Sequence, residues 1–355
     1  MGSEMCIRDR EWELADAETI VALAEARGRT EVYRLPVAGG PPVTVARGGT
    51  FHLGGVSADG HAWLQHATSA SPPEIARLRV AGGDLERLSS FTAAALDGVE
   101  MGRAEEIEIG GVHTFVLYPP GHDASKPAPL LQNIHGGPYG MHSDGWHWRW
   151  NAQTFAAAGW VVAMVNFHGS SSYGQRFSDS ILGDWGGKAA DDILAATDAL
   201  VARGVADPAR LVIAGGSFGG YMTLWLATRT PRFACAIAHA AVFDLVGLVG
   251  GDITLGLDRE LGAAPWDLPA GRDKLERWDP AAFAGQIKTP TLIIHGEKDY
   301  RVPVEQAYHA YGALQAREIP SRLVVYPDEN HWIAKRANSL HWYGEFFGWL
   351  DRWVK

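Results

Sequence analysis

From about residue 105 onward the chain alternates runs of strand-forming residues with stretches of helical periodicity, and no other feature restricts its fold as much. The runs are VHTFVLYPP, PLLQNIHGG, WVVAMVNFHG, RLVIAGG, TPTLIIHGEKD and SRLVVYPDENH. Several are continuously apolar, as strands covered on both faces are; a half-exposed strand would alternate. Between them lie GKAADDILAATDALVARG, the segment after Ser217, VEQAYHAYGALQAR and LHWYGEFFGWLDRWVK, all helical in pattern. Strand and helix in succession predict an α/β fold, a mostly parallel sheet with helices on both faces. Side chains that act in such sheets stand at the carboxyl ends of the strands.

The first hundred residues read differently. VYRLPVAGG from Val32 recurs as IARLRVAGG from Ile75, an offset of 43 residues, and the same offset aligns LADAETIVAL from Leu14 with SADGHAWLQH from Ser57. Each copy holds short strands, TIVALAEA and EVYRLPVA in the first, HAWLQHAT and EIARLRVA in the second, separated by Gly- and Pro-bearing turns. A period near 40–45 residues with several strands per unit is that of propeller blades, about two of them here, where a closed ring takes about four to eight. Either most of a propeller is missing or a blade remnant serves as a cap; a small β-subdomain of other descent is the plainer alternative. The expected division is a propeller-like segment over 11–104 and an α/β domain over 105–355. MGSEMCIRDR, residues 1–10, fits nothing that follows and reads as a non-native leader.

Composition narrows the partners. Hydrophobic residues make up 46% and charged residues 20% of the 355 positions, with 31 basic against 41 acidic side chains and a formal charge of −10. That charge disfavours nucleic acid and anionic lipid, and no apolar run approaches the roughly 20 residues of a membrane helix, so neither nucleic acid nor membrane is an expected partner. The expectation is a soluble protein, cytoplasmic or periplasmic, with no secretion signal in these residues; homo-oligomer formation stays open. Cys6 and Cys235 match no zinc or redox spacing, and Cys235 in RFACAIAHA reads as a small core residue.

Gly215-Gly216-Ser217-Phe218-Gly219 is a G-x-S-x-G motif after a strand run and before a helical one, the setting of a nucleophile held on a strained turn. Serine needs a base within hydrogen-bond reach, itself oriented by a carboxylate, and in this arrangement the chain order is Ser, acid, His. Asp299 follows the LIIHG run and His331 follows VVY, both just past strand ends. Glu297 and Asp328 compete for the acid; Asp299 ranks first because it lies furthest past its strand. An oxyanion needs two N–H donors, one from the residue after the nucleophile and one from a glycine-rich loop. Phe218 and Gly137, in HGGPYG, are the candidates. Singly, each motif has a plain reading: a glycine corner, a tight turn, a surface histidine. In this order, each at its own strand end, they point to nucleophilic catalysis.

Other signals fail. GDWGGKAA has the wrong spacing for a phosphate loop, with Ala189 where Ser or Thr belongs. His135, His142 and His147 are crowded but lack the paired spacing of a zinc site. Trp146, Trp148 and Trp150 alternate like one face of an extended segment and suggest core or rim packing.

Together HGGPYG, NFHGSSSYGQRFSDSILGDWGGKAADD, GGSFGGYMTLWLATRTPRF, TPTLIIHGEKDYRVP and YPDENHW resemble the catalytic domain of the prolyl oligopeptidase family of serine peptidases, nearest its acylaminoacyl-peptidase and dipeptidyl-peptidase 5 branch. The resemblance implies an α/β-hydrolase fold with Ser217 as nucleophile, Asp299 as orienter and His331 as base, behind an N-terminal propeller that filters substrates. It also implies that Arg301 binds a backbone carbonyl of the peptide and that Val302 lines an apolar pocket for the residue before the scissile bond. His168 departs from the family, which usually has arginine there. The expected activity is hydrolysis of short peptides or acylated aminoacyl peptides, with no metal or organic cofactor. A carboxylesterase and a non-catalytic binding or scaffold protein are the alternatives.

Overall fold

The computed structural model describes residues 11–253, 256–264, 266–267 and 269–354, so the leader 1–10 lies outside the described residues. The 43-residue repeat becomes two four-stranded antiparallel sheets. The first comprises β1 (Trp12–Leu14), β2 (Thr19–Ala26), β3 (Arg29–Pro36) and β4 (Val43–Ala46); the second comprises β5 (Thr50–Val56), β6 (His61–Thr68), β7 (Ser71–Arg79) and β8 (Glu86–Arg87). Each runs in sequence order, and the repeated segments fall on β2–β3 and on β6–β7. These are propeller-like blades, and one core joins them: Val21 and Val32 from the first pack with Phe51, Leu64 and Leu78 from the second.

The large sheet has eight strands: β9 (Arg103–Ile109), β10 (Val112–Tyr118), β11 (Ala128–Ile134), β12 (Val161–Val165), β13 (Ala206–Gly216), β14 (Cys235–His239), β15 (Thr291–Gly296) and β16 (Ser321–Tyr326). Their spatial order is β9-β10-β12-β11-β13-β14-β15-β16, antiparallel as far as the β10–β12 pair and parallel from β12 to β16. The helices are α1 (Ala152–Ala157), α2 (Gln175–Ser178), α3 (Lys188–Ala202), α4 (Phe218–Arg229), α5 (Leu257–Leu261), α6 (Ala270–Glu276), α7 (Glu305–Ala316) and α8 (Arg336–Trp353). Strand side chains alternate between two cores. Leu211 and Ile213 meet Ile193 of α3 and Tyr221 and Trp225 of α4, while Val212 and Ala214 meet Phe155 of α1 and Trp342 and Phe346 of α8. Burial on both faces explains the continuous apolar runs. No helix among the described residues is long and apolar enough to cross a membrane.

Two strands of the large sheet escaped the sequence reading. β14 is CAIAH, with a single β-branched residue, and β9 is RAEEIEI, an edge strand that carries three glutamates. The 146–150 segment corrects an expectation: it is a series of bends, not an extended strand, because the Nδ1 of His147 accepts the N–H groups of Arg149 (3.2 Å) and Trp150 (3.1 Å). Its three tryptophans therefore do not line one face: Trp146 and Trp148 meet edge to face with Trp148 68% exposed, while Trp150 packs against Trp342 and Phe346.

The β2–β3 hairpin tip docks on loops of the large sheet. Gly28 N–H donates to Ser172 Oγ (2.7 Å), Asp144 N–H donates to the Gly28 carbonyl (2.8 Å), and Arg27 and Arg29 pair with Glu108 and Glu106 of β9. Gly28 has φ +73°, and a Cβ there would lie 2.6 Å from the Phe115 ring, so the close approach depends on glycine.

Candidate active site

Ser217 sits between β13 and α4 with φ 59° and ψ −122°, a conformation that costs a non-glycine residue energy and survives only where neighbours impose it. Its N–H donates to the His239 carbonyl (2.9 Å) at the end of β14. A Cβ on Gly215 would lie 2.5 Å from the Gly219 carbonyl carbon, and one on Gly219 would lie 2.0 Å from the Ile134 carbonyl oxygen. The glycines two residues either side of the serine are thus required by contact with backbone.

The loop after β11 passes beside this turn: a Cβ on Gly136 would be 3.2 Å from Ser217 Cβ and 3.8 Å from its Oγ. Gly137 has φ +129° and precedes a cis proline, Pro138. Neither the Gly137 nor the Phe218 N–H donates within the protein among the described residues, and the Phe218 N–H is one of the free donors that open a helix. The loop is held from behind: His135 Nδ1–H donates to the Gly136 carbonyl (2.8 Å), and His142 Nε2–H donates to the Asn133 carbonyl (2.6 Å). These histidines serve the backbone, and no group of three or more His, Cys, Asp or Glu suited to a metal ion occurs among the described residues.

Asp299 and His331 meet beyond the ends of β15 and β16. His331 Nδ1 lies 2.6 Å from Asp299 Oδ2, with the carboxylate fully buried and the imidazole nearly so. Asp299 Oδ1 accepts the N–H groups of Arg301 (3.0 Å) and Val302 (2.9 Å). Burial alone would raise the Asp299 pKa, but hydrogen bonds from His295, His331 and the Val302 N–H outweigh it and hold the carboxyl below its usual range. An ionised carboxylate only accepts, so His331 carries its proton on Nδ1 and leaves the Nε2 lone pair available. The competing acids stand apart: Glu297 is exposed, and Asp328 pairs with Lys335 at the surface.

Two further histidines are built into this site. His239, 4% exposed, donates from Nε2 to the His331 carbonyl (3.2 Å) and accepts at Nδ1 from the indole N–H of Trp342 in α8 (3.0 Å). Burial lowers its pKa to about 3, so it is neutral near pH 7. His295, the next-to-last residue of β15, lies 3.3 Å from Asp299 Oδ2 through Nε2. Both lie inside strands and read in sequence as core positions; only strand pairing reveals them.

Of the substrate-contact candidates, Arg301 has its Nε 3.0 Å from Asp252 Oδ1. Val302 is 1% exposed, its side chain in the core and its carbonyl accepting from His295 Nε2. His168, at the family's arginine position, donates through both its backbone N–H and Nδ1 to Asp192 Oδ2 (each 2.7 Å) and stacks on Phe177.

This strand order, with a serine in a left-handed turn after the fifth strand and a histidine–carboxylate pair past the seventh and eighth, defines an α/β-hydrolase. Residues 146–355 match the model of the prolyl oligopeptidase family, and the chain belongs to that family. It is 35% identical over 303 residues to dipeptidyl-peptidase 5 of Schizosaccharomyces pombe, covering 82% of this chain and 43% of that one. Dipeptidyl-peptidase 5 of Porphyromonas gingivalis is 33% identical over 298 residues, with 80% and 43% covered. The chain thus spans less than half the length of these relatives. An acylaminoacyl peptidase structure from Pyrococcus horikoshii superposes with a TM-score of 0.86 over 98% of this chain and 56% of that one, at 22% identity, a likeness of fold.

Proposed function

We propose that the chain is a serine hydrolase that cleaves short peptides, dipeptidyl or acylaminoacyl substrates in the first place, through an acyl-enzyme on Ser217. The observation that carries this reading is the buried His331–Asp299 pair, 2.6 Å between Nδ1 and Oδ2, beyond the parallel strands that also end at Ser217. The His331 Nε2 lone pair takes the Ser217 proton as Oγ attacks the scissile carbonyl, and Asp299 stabilises the imidazolium formed. The oxyanion receives the Phe218 and Gly137 N–H groups, both without another partner. His331 then gives its proton to the leaving amine, and a water activated by the same Nε2 releases the acid product. Arg301, on the loop that carries Asp299, holds a peptide carbonyl. In this reading residues 11–104 are the propeller-like part and 105–355 the catalytic domain. The names of the relatives support peptides as substrates.

The test is reaction with a fluorophosphonate probe, with Ser217→Ala as control, followed by turnover of a dipeptidyl chromogenic amide, an acetylated amino-acid amide and a p-nitrophenyl ester. Labelling that disappears in S217A, with turnover of either amide, is the expected result. Failure to label would refute the hydrolase, and turnover of the ester alone would replace the peptidase by an esterase.

A further inference from the structure

His295 is fully buried, and two of its atoms are informative. Its Nε2 is 2.8 Å from the Val302 carbonyl oxygen and 3.3 Å from Asp299 Oδ2. A carbonyl only accepts, so Nε2 carries the hydrogen and points it at both oxygens. Its Nδ1 is buried and has no partner among the described residues. A hydrogen on Nδ1 would be an unsatisfied buried donor, so the geometry places the ring hydrogen on Nε2. Asp299 Oδ2 is therefore shared: it faces the Nδ1–H of His331 from one side and the Nε2–H of His295 from the other.

We propose that His295 is a positioning residue that competes with His331 for Asp299 Oδ2, and so sets the pH above which His331 acts as a base. This rests on the assignment of Asp299 and His331 as orienter and base. A second donor draws charge from the oxygen that stabilises imidazolium, so the His331 proton is held less tightly than it would be by an unshared carboxylate. The other titratable and charged groups of the surrounding elements are engaged elsewhere. His239 on β14 is neutral and bonded to Trp342 and the His331 carbonyl, Glu329 accepts from the Ala334 and Lys335 N–H groups, and Arg301 pairs with Asp252. His295 is thus the group that shares Oδ2 with the base.

The test is the rate of fluorophosphonate labelling against pH, which reads the ionisation of the base without a substrate. His295→Leu removes the donor; His295→Gln, whose amide nitrogen reaches the same place, keeps it. Expected is an acidic limb moved to higher pH by about one unit in H295L, a tenfold change in proton affinity, with the wild-type limb restored in H295Q. Should H295L fail to fold, His295→Asn, too short to reach Oδ2, takes its place with the same expectation. A slower rate with an unmoved limb would overturn the proposal and leave His295 a packing residue. An equal shift in H295L and H295Q would overturn it as well. A wild type that does not label sinks the hydrolase reading and this one together, whereas an unmoved limb sinks only this one.

Discussion

Gly219→Ala puts the turn around Ser217 under a defined load. The new Cβ would stand 2.0 Å from the Ile134 carbonyl oxygen, 2.9 Å from its carbon and 3.0 Å from the His135 carbonyl oxygen, where real Cβ atoms do not come closer than about 3.0 Å. All three obstacles are backbone, and Gly219 and Ile134 are buried, so no flexible side chain can yield. The first turn of α4 and the end of β11 must part by about 1 Å. Those two pieces carry the Phe218 N–H and lead into Gly137, so the same movement spreads the two N–H groups proposed to receive the oxyanion. A misplacement of about 1 Å costs on the order of 10²-fold in rate, and overpacking costs about 1–3 kcal/mol in stability. Gly312→Ala is the control, since a Cβ there in α7 meets nothing within 4 Å and should stabilise by roughly 0.5–1 kcal/mol. Peptide-amide kcat/KM and thermal unfolding of both variants are the assays. A G219A protein that keeps more than a third of wild-type kcat/KM would refute the reasoning.

Asp299→Asn should lower kcat by about 10⁴-fold, because an amide N–H facing His331 Nδ1 favours the wrong tautomer. A loss below about 100-fold in steady-state turnover would be contrary to that role. The Asp279 pKa is raised to about 7, chiefly by burial, against about 3.9 unfolded, so ionisation destabilises the fold progressively as pH rises from about 4 to 7. Asp279→Asn can still accept the Leu245 and Ala281 N–H groups, and it should raise the urea midpoint at pH 8 but not at pH 4; equal midpoints at pH 8 would contradict this. Glu74 is the opposite case. Burial opposes its charge, but the Ser89 hydroxyl, Thr92 and the Phe91 N–H hold its pKa near about 2, so its contribution is present above pH about 4.3 and lost towards pH 2. Glu74→Gln should lower the melting temperature at pH 6 and narrow its difference from wild type at pH 2.5, as followed by circular dichroism.

Strong apolar runs made most of the large sheet legible, because β10, β12, β15 and the central parts of β11 and β13 are buried on both faces and their sequences record it, while β16, at the edge, is read from its LVVY run. β14 was hidden by its alanines, and the start of α8 at Arg336 by the polar stretch RANS, which carries no apolar period. The repeat was legible because strand and turn chemistry recur at a fixed interval. For the site, Ser217, Asp299 and His331 could be read as positions past strand ends. Distance past the strand and the family resemblance separated Asp299 from Glu297 and Asp328 in the sequence; burial, which is a property of the folded chain, separates them far more sharply. His239 and His295 left no signal at all, since a polar residue inside a strand discloses its partner only when the neighbouring strand is in place.

The bond from Trp342 to His239, and from His239 to the His331 carbonyl, carries the site into α8. That helix supplies none of the reacting groups, yet it is synthesised after every strand and loop that does. A nascent chain can complete the sheet and expose Ser217 while the base loop still lacks its brace. Docking of α8 and the placing of the His331 loop are thereby coupled through His239.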